Sequence, residues 1–384
     1  MSWRSFLCLL GILSILGACS TPQSAPSTPT SEIPALRVTI TPTPPDPAPI
    51  SPTLPAHPTP TEPAHPQPPT PTETALPITT LLFTGNIVPA RCVQAAIDAS
   101  QNYDYPYEEV RSIIQAADFA IGTFNATLSE IAPRTGCVRT YVLVGDPQNA
   151  DALARAGFDA MSVATNHIKD CGITSCGDQA FFETLENFRR VGILTVGAGK
   201  NEAEALQPIV LTANNVRFGI VSLGQLEQGG VFAEAEKAGI ARLTDANIEQ
   251  AIQLARQISD IVIFMPHWGP EDQATPTWIQ RQLAQKIVAA GADLVVGNHT
   301  HVVQGYQMLN GVWVFYGLGN FVFDQDLNDH QQGVILLVRY QRTQLLDFEF
   351  IPTHVDEDGR VHLAEATEAM EILQRIELAS QNLR

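Results

Sequence analysis

The chain has 384 residues, 45% of them hydrophobic and 16% charged, with 22 Lys and Arg against 40 Asp and Glu for a formal charge of −18. That balance excludes a general nucleic-acid or polyanion binder working through a basic face, so any polyanion it handles needs a local basic or metal-bearing site. The length allows a leader, a linker and one large domain or two small ones.

Residues 1–20 read MSWRSFLCLLGILSILGACS, with Arg4 ahead of an apolar stretch. At about a dozen residues that stretch is shorter than the roughly 20 a bilayer span needs, so residues 1–18 read as a signal peptide. The ending Leu16-Gly17-Ala18-Cys19 resembles a bacterial lipobox, which makes Cys19 the expected lipidation site. An ordinary signal peptide carrying a cysteine is the plainer alternative, and either way the protein is exported. Removing 1–18 takes away Arg4 and no acid, leaving 21 basic and 40 acidic residues, a charge of −19.

Residues 20–78 hold 19 of the 28 prolines, with Thr, Ser and Ala filling most of the rest. Such a segment cannot bury a core and favours extended polyproline II, so 19–78 reads as a disordered stalk reaching up to roughly 180 Å. Its His57 and His65 fall in Ala-His-Pro triplets and read as spacers.

From about residue 79 to 384 the composition is that of a globular domain. Residues 78–84 form an apolar β-branched strand ending at Gly85. A helix over 107–117 feeds a strand at 118–122, a helix over 146–156 feeds one at 158–164, and a helix over 177–191 feeds one at 193–196. A hairpin follows at 208–212 and 217–223, turning at Asn214-Asn215, residues that tolerate positive φ. A helix capped by Thr244 leads to the wholly apolar strand 261–265, and a helix over 278–290, stopped by Gly291, leads to 293–297. Two more hairpins, turning at Asn310-Gly311 and near 341–344, precede a terminal helix. Alternating strands and helices followed by hairpins predict an α/β fold, layered, with mixed β-sheets flanked by helices. Continuous apolar strands are expected to be buried on both faces, with ligand groups at their carboxyl ends.

Beyond Cys8 and Cys19 four cysteines remain, Cys92, Cys137, Cys171 and Cys176. An even number in an exported domain favours disulfides. Pairing Cys171 with Cys176 would close a tight loop and leave Cys92 for Cys137, but the pairing stays open, and the alternative is a Cys/His zinc site that lacks any CxxC.

Three separate strands deliver histidines to one edge of the sheet: His167 after 158–164, His267 after the apolar run IVIFMP, and His299 and His301 after DLVVGN. A lone HxH is as readily explained by hydrogen bonds to its neighbours. Four imidazoles at neighbouring strand ends instead form a shared polar site, and imidazole is the commonest transition-metal ligand among side chains.

The segments LLFTGNIVPAR, ADFAIGTFNATLSE, AGFDAMSVATNHIKDCG, IVIFMPHWGPE, AGADLVVGNHTHVVQG and VFYGLGNFVFDQ occur in that order across residues 79–323. In motif, order and spacing this region resembles the CapA family, named for poly-γ-glutamate capsule biosynthesis and similar to calcineurin-like metallophosphatases. The resemblance implies a metallophosphatase-like fold and a metal centre including Asn166, His267, His299 and His301, with His167 beside it donating to a phosphoryl or carboxyl oxygen. Two positions depart from the family's pattern: the first strand ends in Gly85-Asn86 where the family has Gly-Asp, and Thr123-Phe124-Asn125 stands for Asn-Leu-Glu. Asn86 and Asn125 therefore put amides where the family offers metal-binding carboxylates. Two divalent ions about 3.5–4 Å apart need negative ligands to offset their repulsion. At most one tightly held Zn, Mn or Fe is expected.

Asp170 is read as orienting His167 or a ligand, or as a turn former, and Arg91 as gripping an anionic substrate or as an internal salt bridge. Glu271 and Asp272 either restore negative charge or sit in a solvated loop. Asp324 is read as a cap or turn, and His330, His354 and His362 as surface residues. The leading expectation is a lipoprotein on the outer face of a bacterial membrane, acting in synthesis, export or retention of an anionic extracellular polymer such as poly-γ-glutamate, with synthase or exporter subunits as partners and no nucleic acid. The alternatives are a one-metal hydrolase of phosphoesters or γ-glutamyl amides, with His167 as the acid, and a binding module that has lost its chemistry.

Overall fold

In the computed structural model, which describes residues 34–39, 76–171, 176–228 and 230–383, the apolar strand Ile78–Ile87 sends Leu81 and Phe83 into one core and Leu82 into another. That is the period-2 alternation of a strand buried on both faces. The leader, Cys19, His57 and His65 lie outside the described residues.

Ile78–Ile87 is the hub of a mixed sheet. On one side it runs parallel to Phe119–Phe124, which pairs with Ala160–Ser162, which pairs in turn with Leu194–Val196. On the other side lies the long antiparallel hairpin Gln332–Gln341 and Gln344–Val355. The short strand Asn320–Val322 also pairs with Ile78–Ile87, and Val361–Leu363 pairs with the hairpin's second strand. A second sheet runs in the order Tyr306–Leu309, Val312–Phe315, Leu294–Val296, Ile261–His267, Val216–Gly224, Ile209–Ala213, with its four middle strands parallel.

The two sheets share one core, in which Leu81, Phe83 and Ile121 meet Phe218, Ile263, Met265 and Leu294. The outer face of the first sheet is covered by the helices Cys92–Ser100, Arg111–Gln115, Gln148–Ala156 and Gln179–Arg190, whose Val93, Ile97, Ile114, Leu153, Phe181 and Phe188 pack on Leu82 and Phe124. Asp245–Ile258 and Trp278–Ala290 cover the second sheet, packing Ile248, Ile252 and Ile287 on Val262, Phe264 and Val295. The result is the layered α/β arrangement with mixed sheets and flanking helices that the element order implied.

The helix and turn signals act as their chemistry requires. Thr244 caps its helix by accepting the Asn247 N–H, Thr277 and Gln280 form a capping box, and Gly291 ends its helix at φ 107°. Asn214, Asn215, Asn310 and Gly311 all take positive φ in their two-residue hairpin turns.

One strand corrects the stalk boundary. Leu36–Thr39, inside the segment read as disordered, pairs antiparallel with Phe350 to Asp347 at the sheet edge, and Arg37 ion-pairs with Asp347 at 2.8 Å. Leu36 and Val38 pack against the inter-sheet core while Arg37 and Thr39 point out. Among the described residues no helix is long and apolar enough to cross a membrane.

Candidate metal centre at the strand ends

Parallel strands of both sheets finish at the same edge. Asn86 is the penultimate residue of the first strand, Asn125 follows the second, and Asn166 and His167 follow the third. His267 ends the central strand of the second sheet, and His299 and His301 follow its neighbour. Buried polar bonds stitch the two sheets together here: Asn298 donates to Thr84 O at 3.3 Å and Thr123 Oγ1 at 2.7 Å and accepts from Leu318 N, while Ser162 and Ser222 share a 2.7 Å bond. Because the strands are apolar on both faces, alternation alone cannot set their register, and these polar ends do.

The loop carrying the histidine pair is bent sharply. His299 sits at φ 108° and His301 at φ 61°, a region non-glycine residues avoid at a cost of about 1–3 kcal/mol each. The bend turns both rings into the site, where they are almost fully buried.

Three donor atoms converge. His267 Nε2 lies 3.0 Å from Asn166 Oδ1 and 3.1 Å from His299 Nδ1. With the His267 hydrogen on Nδ1 and the His299 hydrogen on Nε2 all three offer lone pairs, and their separations approach the roughly 3.4 Å edges of a tetrahedral site with bonds of about 2.0–2.1 Å. His301 turns its Nδ1 to Asn320 Oδ1, 2.9 Å away, and presents Nε2 to Glu271 Oε1 at 3.8 Å; His299 Nε2 faces the same oxygen at 3.9 Å. Glu271, half exposed at the rim, thus brings a carboxylate to the two histidines.

The imidazoles are neutral at ordinary pH. Burial, then the neighbouring His299, His301 and His167, hold His267 well below the usual histidine value. Burial, then His301 and His167, push His299 down to about 3. Burial lowers His301 to about 4 against the opposing pull of its bond to Asn320. Neutral rings are the form that ligates a cation.

The two amides differ in what they offer. Asn86, fully buried, donates through Nδ2 to Asn320 Oδ1 at 3.3 Å and leaves its Oδ1 without a partner, an oxygen that suits a cation. Asn125 is used differently: its Oδ1 accepts the His167 N–H at 3.1 Å, and the atom left without a partner is Nδ2, a donor. The converging donors His267 Nε2, His299 Nδ1 and Asn166 Oδ1 suit a single divalent ion of the Zn, Mn or Fe type, while Glu271 faces the other nitrogen of His299 and the Nε2 of His301.

His167 lies beside the cluster. Asp170 Oδ2 is 2.8 Å from its Nδ1 and also accepts the Leu143 N–H, while Gln228 reaches His167, Asp170 and Asn166. Gln228 was not singled out from the sequence because no motif surrounds it.

Arg91 is not a substrate grip. It is buried, its Nε donates to both oxygens of Asp324 at 3.0 and 3.1 Å, Nη2 binds Asp324 as well, and Nη1 donates to Thr140 O at 2.7 Å. Its donors are spent inside the fold, and Phe323 covers the guanidinium. Asp324 accepts the Cys92 N–H besides, so it anchors the first helix rather than turning the chain after Phe323. The cysteines pair as Cys92–Cys137 and Cys171–Cys176.

His330 is likewise no surface residue. It is buried, its Nε2 lies 2.7 Å from Asp272 Oδ1, and its ring lies 6.1 Å from that of His301. Asn320 was also missed as a site residue; its place in VFYGLGNFVF was the available signal, and it joins Asn86, His301 and the His330 carbonyl.

Fold and site together define a layered α/β protein with a histidine-rich centre suited to a divalent cation. Residues 80–325 match the family described as bacterial capsule synthesis protein PGA_cap, and the chain belongs to that family. It is 27% identical over 276 residues to the PGA biosynthesis protein CapA of Bacillus subtilis, covering 72% of this chain and 71% of that protein. It is 25% identical over 284 residues to the capsule biosynthesis protein CapA of Bacillus anthracis, covering 72% and 68%. Among solved structures, the Haemophilus influenzae NAD nucleotidase is similar at a TM-score of 0.46 and 11% identity, over 79% of this chain and 56% of that one. A phosphatase from Mycoplasma pneumoniae is similar at 0.43 and 11% identity, over 72% and 94%.

Proposed function

We propose that the protein is an exported member of this family, lipid-anchored through Cys19, that acts on an extracellular anionic polymer such as poly-γ-glutamate in its synthesis, export or retention. The observation that carries the reading is the buried, neutral cluster of Asn166 Oδ1, His267 Nε2 and His299 Nδ1, with donor atoms 3.0–3.1 Å apart at strand ends inside the family match. The names of the two Bacillus relatives, PGA and capsule biosynthesis proteins, support the polymer class. A divalent ion held there would polarise a phosphoryl or carbonyl oxygen. With Asn86 and Asn125 uncharged and Glu271 the carboxylate at the rim, the site supports one tightly held ion.

Since Leu36–Thr39 is held in the sheet, the tether from Cys19 is residues 20–35, which span at most about 55 Å fully extended. That is far less than the full proline-rich segment would allow, and on this proposal the domain stays close to the membrane. Synthase or exporter subunits embedded there are the partners this placement favours.

The test is metal content and polymer binding of the purified chain. One divalent ion is expected at the strand-end centre, seen as the metal lost in His299→Ala, with binding of poly-γ-glutamate that weakens when that ion is removed. A protein that neither binds nor alters any anionic polymer from its own cell envelope would remove the reading. The Asp170–His167 pair favours a second reading, one-metal hydrolysis of a phosphoester or γ-glutamyl amide with His167 as the general acid. Metal-dependent turnover abolished by His167→Ala, with metal content unchanged, supports it.

A further inference from the structure

A second group of ligating side chains lies outside the family match. His354, near the end of the strand Gln344–Val355, stands directly opposite His362 on Val361–Leu363, with ring centroids 5.0 Å apart. The turn between those strands carries Asp356, whose N–H donates to Arg360 O and whose carbonyl accepts the Gly359 N–H. Asp356 Oδ1 lies 3.9 Å from His354 Nε2 and 3.4 Å from His362 Nε2. The three ligand atoms lie within 4.8 Å of one another, with side chains between about one-quarter and one-half exposed.

The remaining ring nitrogens face acceptors on the far side of each ring. His354 Nδ1 lies 2.8 Å from Glu368 Oε1 in the first turn of the terminal helix Ala366–Gln381, and a carboxylate can only accept, so Nδ1 carries the hydrogen. His362 Nδ1 lies 3.3 Å from Leu363 O, again an acceptor. With the hydrogens on Nδ1, both rings turn Nε2 toward the Asp356 carboxylate, so a cation placed between them would meet two ring nitrogens and a carboxylate oxygen. Glu368 is itself fixed by Gln332 Nε2 at 2.9 Å, and Gln332 by Arg375 at 2.7 Å. A carboxylate behind a histidine whose other nitrogen faces an open position is the arrangement that orients metal-bound imidazoles.

We propose that His354, Asp356 and His362 bind one divalent cation of the Zn, Ni or Cu class, independently of the strand-end centre. Two imidazoles and a carboxylate suit those ions, and a protein bearing 40 acidic residues attracts cations to its surface. The ion clips the short strand Val361–Leu363, and with it the start of the terminal helix, onto the hairpin, and leaves a coordination position open to solvent. The site does not rest on the proposed polymer function.

The test is a Zn²⁺ titration by calorimetry of the full chain, purified without a histidine tag, beside His362→Ala, Asp356→Asn, Glu368→Gln and, as a control for the other centre, His299→Ala. His362→Ala and Asp356→Asn, two partly exposed positions of which the second conserves shape, are each expected to lose one binding step that His299→Ala keeps. Glu368→Gln keeps all three ligands and is expected to weaken that step about 10- to 100-fold. Isotherms for His362→Ala and Asp356→Asn that coincide with wild type would overturn the site and leave the cluster a pair of imidazoles sharing one aspartate.

Discussion

Replacing Asn86 by aspartate puts the family's usual carboxylate into a site built around an amide, and the structure sets the size of the effect. Asn86 is fully buried; its Nδ2 donates to Asn320 Oδ1 at 3.3 Å, and its Oδ1 has no partner. An aspartate loses the donor, sets an anionic oxygen against the Asn320 carbonyl, and finds no cationic side chain among the neighbours named above. An uncompensated buried charge costs about 3–5 kcal/mol. At roughly 2 °C per kcal/mol for a domain of this size, Asn86→Asp should melt about 6–10 °C below wild type in EDTA at pH 8. A divalent ion supplies the missing positive charge, and one present at about 100 times its Kd returns about 2.7 kcal/mol, or about 5 °C. The assay is thermal melting of both proteins in EDTA and with added Zn²⁺ or Mn²⁺, the variant gaining clearly more than wild type. A variant that melts within about 2 °C of wild type in EDTA, or equal metal-induced shifts in both proteins, would refute the reasoning.

Acid should destabilise the fold through the buried imidazoles. Their folded values lie well below the ordinary 6.5, at about 3 for His299 and about 4 for His301, so the unfolded chain takes up protons first. Stability from these groups is full above about pH 6.5 and is lost as pH falls toward 4, at up to about 1.4 kcal/mol per pH unit per histidine. Urea midpoints at pH 7, 6, 5 and 4.5 should fall steadily, and a His299→Gln/His301→Gln variant should show a flatter profile. Arg91→Ala leaves Asp324 buried without its cation and should cost about 3–5 kcal/mol by urea unfolding, while polymer binding by the folded protein stays unchanged, since the arginine's donors never face the site. By loop-closure entropy, removing Cys92–Cys137, with 45 residues of separation, should cost about 4 kcal/mol, and removing Cys171–Cys176, with 5, about 2. Denaturant melts of the two Cys→Ala pairs would check that order.

The sequence by itself determined most of the elements and the edge at which they end, though not the helix Cys92–Ser100, and the helix read over 107–117 is only Arg111–Gln115. Continuous apolar strands, the caps at Thr244 and Thr277, the asparagine turns and the glycine stop at Gly291 are local signals, each settled by a residue's own conformational preference or by its near neighbours. His167, His267, His299 and His301 were legible as one site because each follows a strand, and strand ends of parallel sheets meet. Leu36-Arg37-Val38-Thr39 already alternated apolar with polar, but a strand so short, set in a proline-rich run, has no local reason to form without the edge of Gln344–Val355 to pair with. Only the tertiary structure decided how each donor atom is used. Arg91 is consumed by Asp324, 233 residues away, and Asn125 spends its oxygen on the His167 backbone. His330 is buried against Asp272, and His354 meets His362 across a strand pair. A side chain's chemistry is written in its residue type, but its remaining valence depends on partners brought near by packing.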